Sequence, residues 1–253
     1  MKCRSPAKGS SRRCATITDP YMLAIRPPEY FPRLSFLAHV AAADRMVLAD
    51  TFQYSRQSFQ NRTRLRTPQG WQWLSVPLLG GQHGRPIDEV EIDNREPWAR
   101  KHWRSLTYNY SSAPFFVFYG QDIYDLLHQD WKCLGDLTCA TVELLSGLFG
   151  LNTRVERASN LPAKPANLAE ALLQFNKARL IVAEETARHD ARLVQTAVLL
   201  RFDEPTYRQN FTGFEPGMTA LDLLFNYGPD AGSMLRQSMK LAASPADWVM
   251  DQL

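Results

Sequence analysis

The chain has 253 residues, 45% of them hydrophobic and 22% charged, enough for a full core in one domain or in one domain with a helical insertion. No apolar run approaches the ~20 residues that a membrane-spanning helix needs, so a soluble protein is expected. The formal net charge of +3 resides in the first twenty residues, where Lys2, Arg4, Lys8, Arg12 and Arg13 outweigh Asp19. Residues 21–253 are therefore close to neutral, and the folded body lacks the basic excess that nucleic-acid phosphates require.

Residues 1–20 contain no apolar segment of the secretory kind and read as a disordered basic tail. A weak transit peptide, an upstream in-frame methionine and a phosphate-seeking arm are the other readings. Cys3 and Cys14 lie in this tail, and Cys133 and Cys139 stand six apart in a predicted helix. No C-x-x-C pattern or histidine cluster accompanies them, so no metal site is expected, and free thiols suit a reducing cytoplasm.

Tyr21 to Ile25 is a short apolar run that predicts a strand. Arg26 to Pro32 follows, with three prolines that force a stiff turn. From Leu34 to Ala43 the apolar positions Leu34, Leu37, Ala38 and Ala41 have helical spacing, and Met46 to Ala49 predicts a second strand. Strand, helix and strand so closely joined predict a parallel βαβ unit, in which ligands bind beyond the carboxyl ends of the strands. Those ends are Arg26 to Tyr30 and Asp50 to Tyr54.

Gln60 to Arg66 and Trp71 to Leu78 predict a β-hairpin around Thr67-Pro68-Gln69-Gly70. Pairing Thr67 with Gly70 sets Arg66 opposite Trp71 and Arg64 opposite Trp73, so that guanidinium stacks on indole. Alternation puts Arg62, Arg64 and Arg66 on one face. That face reads either as an anion-binding wall or as a solvated surface with cation–π decoration. The glycine-rich loop Gly80 to Pro86 lacks the trailing Lys-Ser/Thr of a phosphate-cradling loop and reads as a mobile lid or a plain connector, followed by a strand over Ile87 to Ile92.

Pro97 suits the first turn of a helix to about Tyr110, with Trp98, His102 and Asn109 on one side. Phe115 to Leu127 is apolar scaffold. Leu134, Leu137, Thr141, Leu144, Leu145 and Leu148 stripe a helix that Gly150 stops. A short strand over Arg154 to Arg157, a linker over Leu161 to Pro165, a helix marked by Leu168, Leu172 and Phe175, and strands at Leu180 to Ala183 and Ala197 to Phe202 complete a sheet of about five strands. Thr219 and Asp222 have capping-box spacing, and Gly228-Pro229 stops the helix that they start. Asn226, in its last turn, has no such duty and is a ligand candidate. The fold expected is three-layer α/β, a Rossmann-like mixed or mostly parallel sheet with an edge β-hairpin and a helical insertion, all within one domain spanning residues 21–253.

The run I-x-x-P-x-Y-F-P from Ile25 to Pro32, Asp44 and Asp50, Gln53, Asn61-Arg62 and the W-L-S-V-P of Trp73 to Pro77 together resemble the bacterial WbqC-like family. Further echoes are Ile87 to Asp93, Lys101-His102-Trp103, Tyr110 with Ala113-Pro114-Phe115, Tyr207 to Gln209 and Leu221 to Gly228, so that the resemblance covers roughly residues 23–230. It implies an association with bacterial surface-polysaccharide (O-antigen) gene clusters and a transferase role on sugars. Two departures stand out against that pattern. Arg26-Pro27 occupies the place of a His-Gln pair, and Ile181-Val182-Ala183-Glu184-Glu185 replaces a Tyr-Leu-Ser-Gly strand end.

Two functions from different classes follow. One is group transfer to a sugar or nucleotide-sugar, with Arg26, Arg62 and Arg64 on phosphate, His102 taking a proton from the acceptor and Asp50 orienting it. Tyr30, Gln53, Asn61, Lys101 and Asn226 complete the expected substrate contacts, and the sequence leaves the question of a cofactor open. The other is a relative that keeps the pocket and binds a phosphorylated or sugar ligand without turnover, which the loss of the first-turn histidine favours, because arginine cannot release a proton near neutral pH.

Overall fold

A computed structural model describes residues 21–175, 177–183 and 197–242. The basic tail, Glu184-Glu185 and His189 lie outside the described residues. Strand β1 (Tyr21–Arg26) is followed by helix α1 (Leu34–Ala42) and strand β2 (Arg45–Leu48), the βαβ unit expected from the pattern. The hairpin is β3 (Arg62–Thr67) and β4 (Gly70–Ser75). Helices α2 (Trp98–Tyr110), α3 (Phe116–Leu127) and α4 (Leu134–Leu148) lead to β5 (Arg154–Arg157). The short helix α5 (Leu168–Leu172) precedes β6 (Ala178–Ala183) and β7 (Val198–Phe202). Helices α6 (Ala220–Tyr227) and α7 (Ala231–Gln237) and strand β8 (Met239–Ala242) complete the described chain.

Six strands form one sheet in the order β5-β2-β1-β6-β7-β8, parallel except for β8, which runs antiparallel to β7. This is an α/β fold with a mostly parallel sheet flanked by helices. The sheet has one strand more than the expected five, because β8 joins its edge. The hairpin makes its own two-stranded sheet and does not pair with the main one. Its register is the expected one, with Thr67 opposite Gly70, Arg66 opposite Trp71 and Arg64 opposite Trp73. Ile87 to Ile92 is not a strand. Ile87–Glu89 turns as a 3-10 helix, and only isolated bridges follow, Glu91 to Cys133 and Ile92 to Leu78.

Apolar residues run continuously along the inner strands because both faces are buried. Ala24, Met46, Leu48, Ile181 and Leu200 face the larger core, shared with α1, α4 and α7. Leu23, Ile25, Val47, Val182 and Leu199 face a smaller core closed by Ala171 and Phe175. The helix after β1 therefore covers one face and the helix before β6 covers the other. That reversal between β1 and β6 is a topological switch point, the place where open α/β sheets leave a crevice beyond the carboxyl ends of their strands. Gly135 fixes the seat of α4 against the Ile87–Glu89 turn, since a Cβ there would lie 2.7 Å from Asp88 Cα.

Candidate functional site

Arg26 ends β1 at the switch point. With Pro27, His39, Leu168 and Ala183 it lines a cleft of about 190 Å³ between β1 and β6. Its guanidinium lies 3.1 and 3.3 Å from the two ring nitrogens of His39. His39 Nδ1 donates to the Ser35 carbonyl at 2.9 Å, one turn back along α1, so Nε2 is the acceptor for Arg26. Burial, and then the charge of Arg26, push His39 down to about 3. The imidazole is neutral at physiological pH. Burial also lowers Arg26, while Glu29 opposes that shift. Glu29 itself is engaged by Arg33 at 2.8 Å, so among the described residues Arg26 touches no carboxylate.

Asp50 lies just past β2, and register explains its partner. Arg26 pairs with Leu48, and Leu48 with Arg157, so Asp50 and Arg157 share the same sheet edge. Asp50 is fully buried. Its Oδ2 accepts from Arg157 Nε at 2.8 Å and from Ser159 Oγ at 2.6 Å, and its Oδ1 accepts from the Ser159 amide at 2.8 Å. Arg157 also pairs with Asp136 at 2.8 Å. Burial works against the charge of Arg157, but these carboxylates raise its pKa overall. Both oxygens of Asp50 are occupied in tying β2 to the segment after β5.

His102 is 4% exposed and sits where α2 meets the hairpin. Its Nδ1 is 2.8 Å from the Tyr30 hydroxyl and its Nε2 is 3.1 Å from the Ser75 carbonyl. A carbonyl only accepts, so Nε2 carries the hydrogen and Nδ1 accepts from Tyr30. Burial pushes His102 down to about 4, with the Ser75 carbonyl opposing. Burial likewise raises the Tyr30 phenol far above its ordinary range. This pair is a neutral, internally satisfied bridge between the first turn, α2 and the hairpin.

The hairpin arginines differ among themselves. Arg62 stacks 4.1 Å over Trp73 and donates to the Ser58 and Gln57 carbonyls at 3.2 and 2.6 Å. Arg66 is buried and spends its donors on Gln209, Gly70 and Thr212. Arg64 lies 4.3 Å over Trp71 and 5.0 Å over Trp73, and its buried Nε has no hydrogen-bond partner.

The other expected contacts are dispersed. Gln53 is exposed and bridges Pro86 through its backbone. Asn61 donates to the Val76 carbonyl at 3.1 Å, where the hairpin closes. Lys101 makes an exposed ion pair with Glu96 at 2.6 Å. Asn226 does have a structural duty, donating back to the Asp222 carbonyl at 2.7 Å. Thr219 caps α6 as expected, accepting from the Leu221 amide. Asp222 does not complete the capping box. It is fully buried, accepts from the Tyr207 hydroxyl at 2.8 Å, and is raised by that burial.

Two residues that the sequence reading did not assign to a site stand at the carboxyl edge, His39 and Arg157. For His39 the helical spacing from Ser35 was a usable signal. For Arg157 there was none, because only the β2–β5 register carries it to Asp50. Among the described residues no helix is long and apolar enough to cross a membrane, and no group of His, Cys, Asp and Glu side chains is arranged to hold a metal.

Comparison with known proteins finds similarity along most of the chain. The "Uncharacterized protein Rv1507c" of Mycobacterium tuberculosis (strain ATCC 25618 / H37Rv) is 29% identical over 225 residues, covering 85% of this chain and 97% of that protein. No solved structure matches. The model of the WbqC-like protein family matches residues 27–234, from the turn after Arg26 into α7. Over that span, which takes in the first turn, the hairpin and all but the first and last strands of the described sheet, the chain belongs to the WbqC-like protein family.

Proposed function

We propose that this protein binds a phosphorylated sugar or nucleotide-sugar at the crevice between β1 and β6, whose roughly 190 Å³ seats the phosphate against Arg26 while the rest of the ligand lies outside it, beyond the strand ends. The observation that carries the reading is the state of Arg26. It is a guanidinium at the switch point that meets a neutral imidazole and, among the described residues, no carboxylate. An oxyanion there gains charge-assisted hydrogen bonds without displacing an existing ion pair. Binding without turnover through His102 is the form best supported, because both ring nitrogens of His102 are engaged and burial keeps it neutral.

Group transfer to a sugar, of the kind used in surface-polysaccharide assembly, is the second reading, and His39 favours it. Its imidazole lines the same crevice as Arg26. Nδ1 is held by the Ser35 carbonyl and Nε2 by Arg26, so it becomes a proton acceptor only when a bound phosphate draws the Arg26 guanidinium off Nε2. A cytoplasmic site of action goes with that ligand class. Asp50 then serves by holding the sheet edge in place.

Calorimetric titration with UDP-glucose as the probe tests both readings. Arg26→Ala should weaken binding by about 1–3 kcal/mol, the range for a charge-assisted hydrogen bond, while deletion of residues 1–20 should leave it unchanged. Equal losses from the two changes would mean nonspecific charge attraction and would refute the reading. Turnover that survives His102→Gln and disappears in His39→Gln would decide for transfer.

A further inference from the structure

A second pocket lies away from the crevice, where the tip of the hairpin overhangs α2. Leu65 pairs with Gln72, so Gln72 shares the hairpin face that carries buried Leu65 and Leu74. The Tyr110 hydroxyl accepts from the Arg66 amide at 3.1 Å and fixes the hairpin on α2. Beyond that bond the turn after Thr67 stands off from the helix. The space left, about 310 Å³, is lined by Gln69, Gln72, Arg104, Ser105, Tyr108 and Asn109. This falls at the lower end of the range for small-ligand sites, about 300–1,000 Å³.

The chemistry of the lining is specific. Asn109 is buried, and its amide nitrogen donates to the Ser105 carbonyl at 2.8 Å. Its Oδ1 has no hydrogen-bond partner. Flipping the amide would set oxygen against the Ser105 carbonyl, so the unpaired atom is an acceptor and calls for an O–H or N–H donor. Gln69 and Gln72 add amides that both donate and accept, and Ser105 adds a hydroxyl. Among the described residues Arg104 makes no ion pair, and no carboxylate lines the pocket. One turn along α2 from Arg104, Tyr108 presents its ring at 79% exposure.

The geometry points to a binding site for an acidic monosaccharide, a polyhydroxylated ring bearing one carboxylate. Hydroxyl groups of such a ring bond the glutamine amides in either sense, and one supplies the donor that Asn109 Oδ1 lacks once a small rotation of that side chain opens the buried atom to the pocket. Its carboxylate matches the planar fork of Arg104, which takes two oxygens side by side. Its apolar C–H face covers the Tyr108 ring, an aromatic surface with one apolar and one wet side. The site does not depend on the crevice reading, since it shares no residue with it.

Saturation-transfer NMR and calorimetry with glucuronate as the probe test this, with glucose and acetate as controls. Wild-type protein should bind glucuronate more tightly than either control, with saturation passing to the sugar ring protons. Arg104→Ala should weaken glucuronate at least about tenfold, the scale of one charge-assisted hydrogen bond, and bring it near the affinity for glucose. Tyr108→Ala should diminish saturation of the ring protons. Both positions are exposed, and unchanged melting temperatures would confirm that these variants fold. Arg26→Ala should leave glucuronate binding untouched. The proposal is overturned if wild type does not bind glucuronate, if acetate binds as tightly, or if Arg26→Ala and not Arg104→Ala abolishes the signal.

Discussion

Acidification from pH 7.5 to 4 should destabilise the fold, and His102 should account for a definable part of the loss. In the folded protein burial holds its pKa at about 4, against 6.5 for an unburied histidine. The unfolded chain therefore binds a proton on passing below pH 6.5, while the folded chain resists until about 4. Stability is complete above 6.5 and falls as pH drops through that window. At about 1.4 kcal/mol per tenfold change in proton affinity, the loss from His102 alone is about 3 kcal/mol. His39, also pushed down by burial, to about 3, adds a loss of the same sign that extends to lower pH. Urea unfolding followed by tryptophan fluorescence at pH 7.5, 5.5 and 4.5 measures the slope. His102→Gln keeps an amide able to donate to Ser75 and to accept from Tyr30, yet does not titrate. Its stability should therefore fall by about 3 kcal/mol less than wild type across the window. Parallel losses in the two proteins would refute the account of His102 as a neutral, satisfied bridge.

Asp50→Ala should cost about 3 kcal/mol or more in urea unfolding, because it strands the partly buried Arg157 charge and the Ser159 amide. Tyr30→Phe should cost about 1–3 kcal/mol by leaving His102 Nδ1 without its donor, measured in the same way at pH 7.5. Gly135→Ala should destabilise by about 1–3 kcal/mol through overpacking against the Asp88 backbone, and thermal unfolding reads this directly.

The hairpin shows what local sequence can specify. Thr67-Pro68-Gln69-Gly70 fixes which residues pair, and the side-chain period of two then sets every partner, down to Arg64 opposite Trp73. Strand β8 was not legible, because its four residues carry only an edge and two of them are exposed. Ile87 to Ile92 alternates like a strand, yet the Glu89 and Val90 amides bond back to the Pro86 and Ile87 carbonyls and close a 3-10 turn, while the Asp88 amide goes to the distant Asp50 carbonyl at 2.8 Å. At the candidate site the helical face of His102 could be read from spacing. The two groups that fill its nitrogens could not, since Tyr30 and Ser75 come from a turn and a strand distant in sequence. Asp222 has the spacing of a cap, but Tyr207, fifteen residues earlier, takes its carboxylate instead.

The crevice reading is tested most directly by a crystal structure of the protein with UDP-glucose. The account predicts a phosphate oxygen within hydrogen-bond distance of the Arg26 guanidinium, at the carboxyl ends of β1 and β6, with His39 beside it. A nucleotide-sugar seated on the hairpin arginines or at the α2 pocket, with the Arg26 crevice closed to it, would contradict the account.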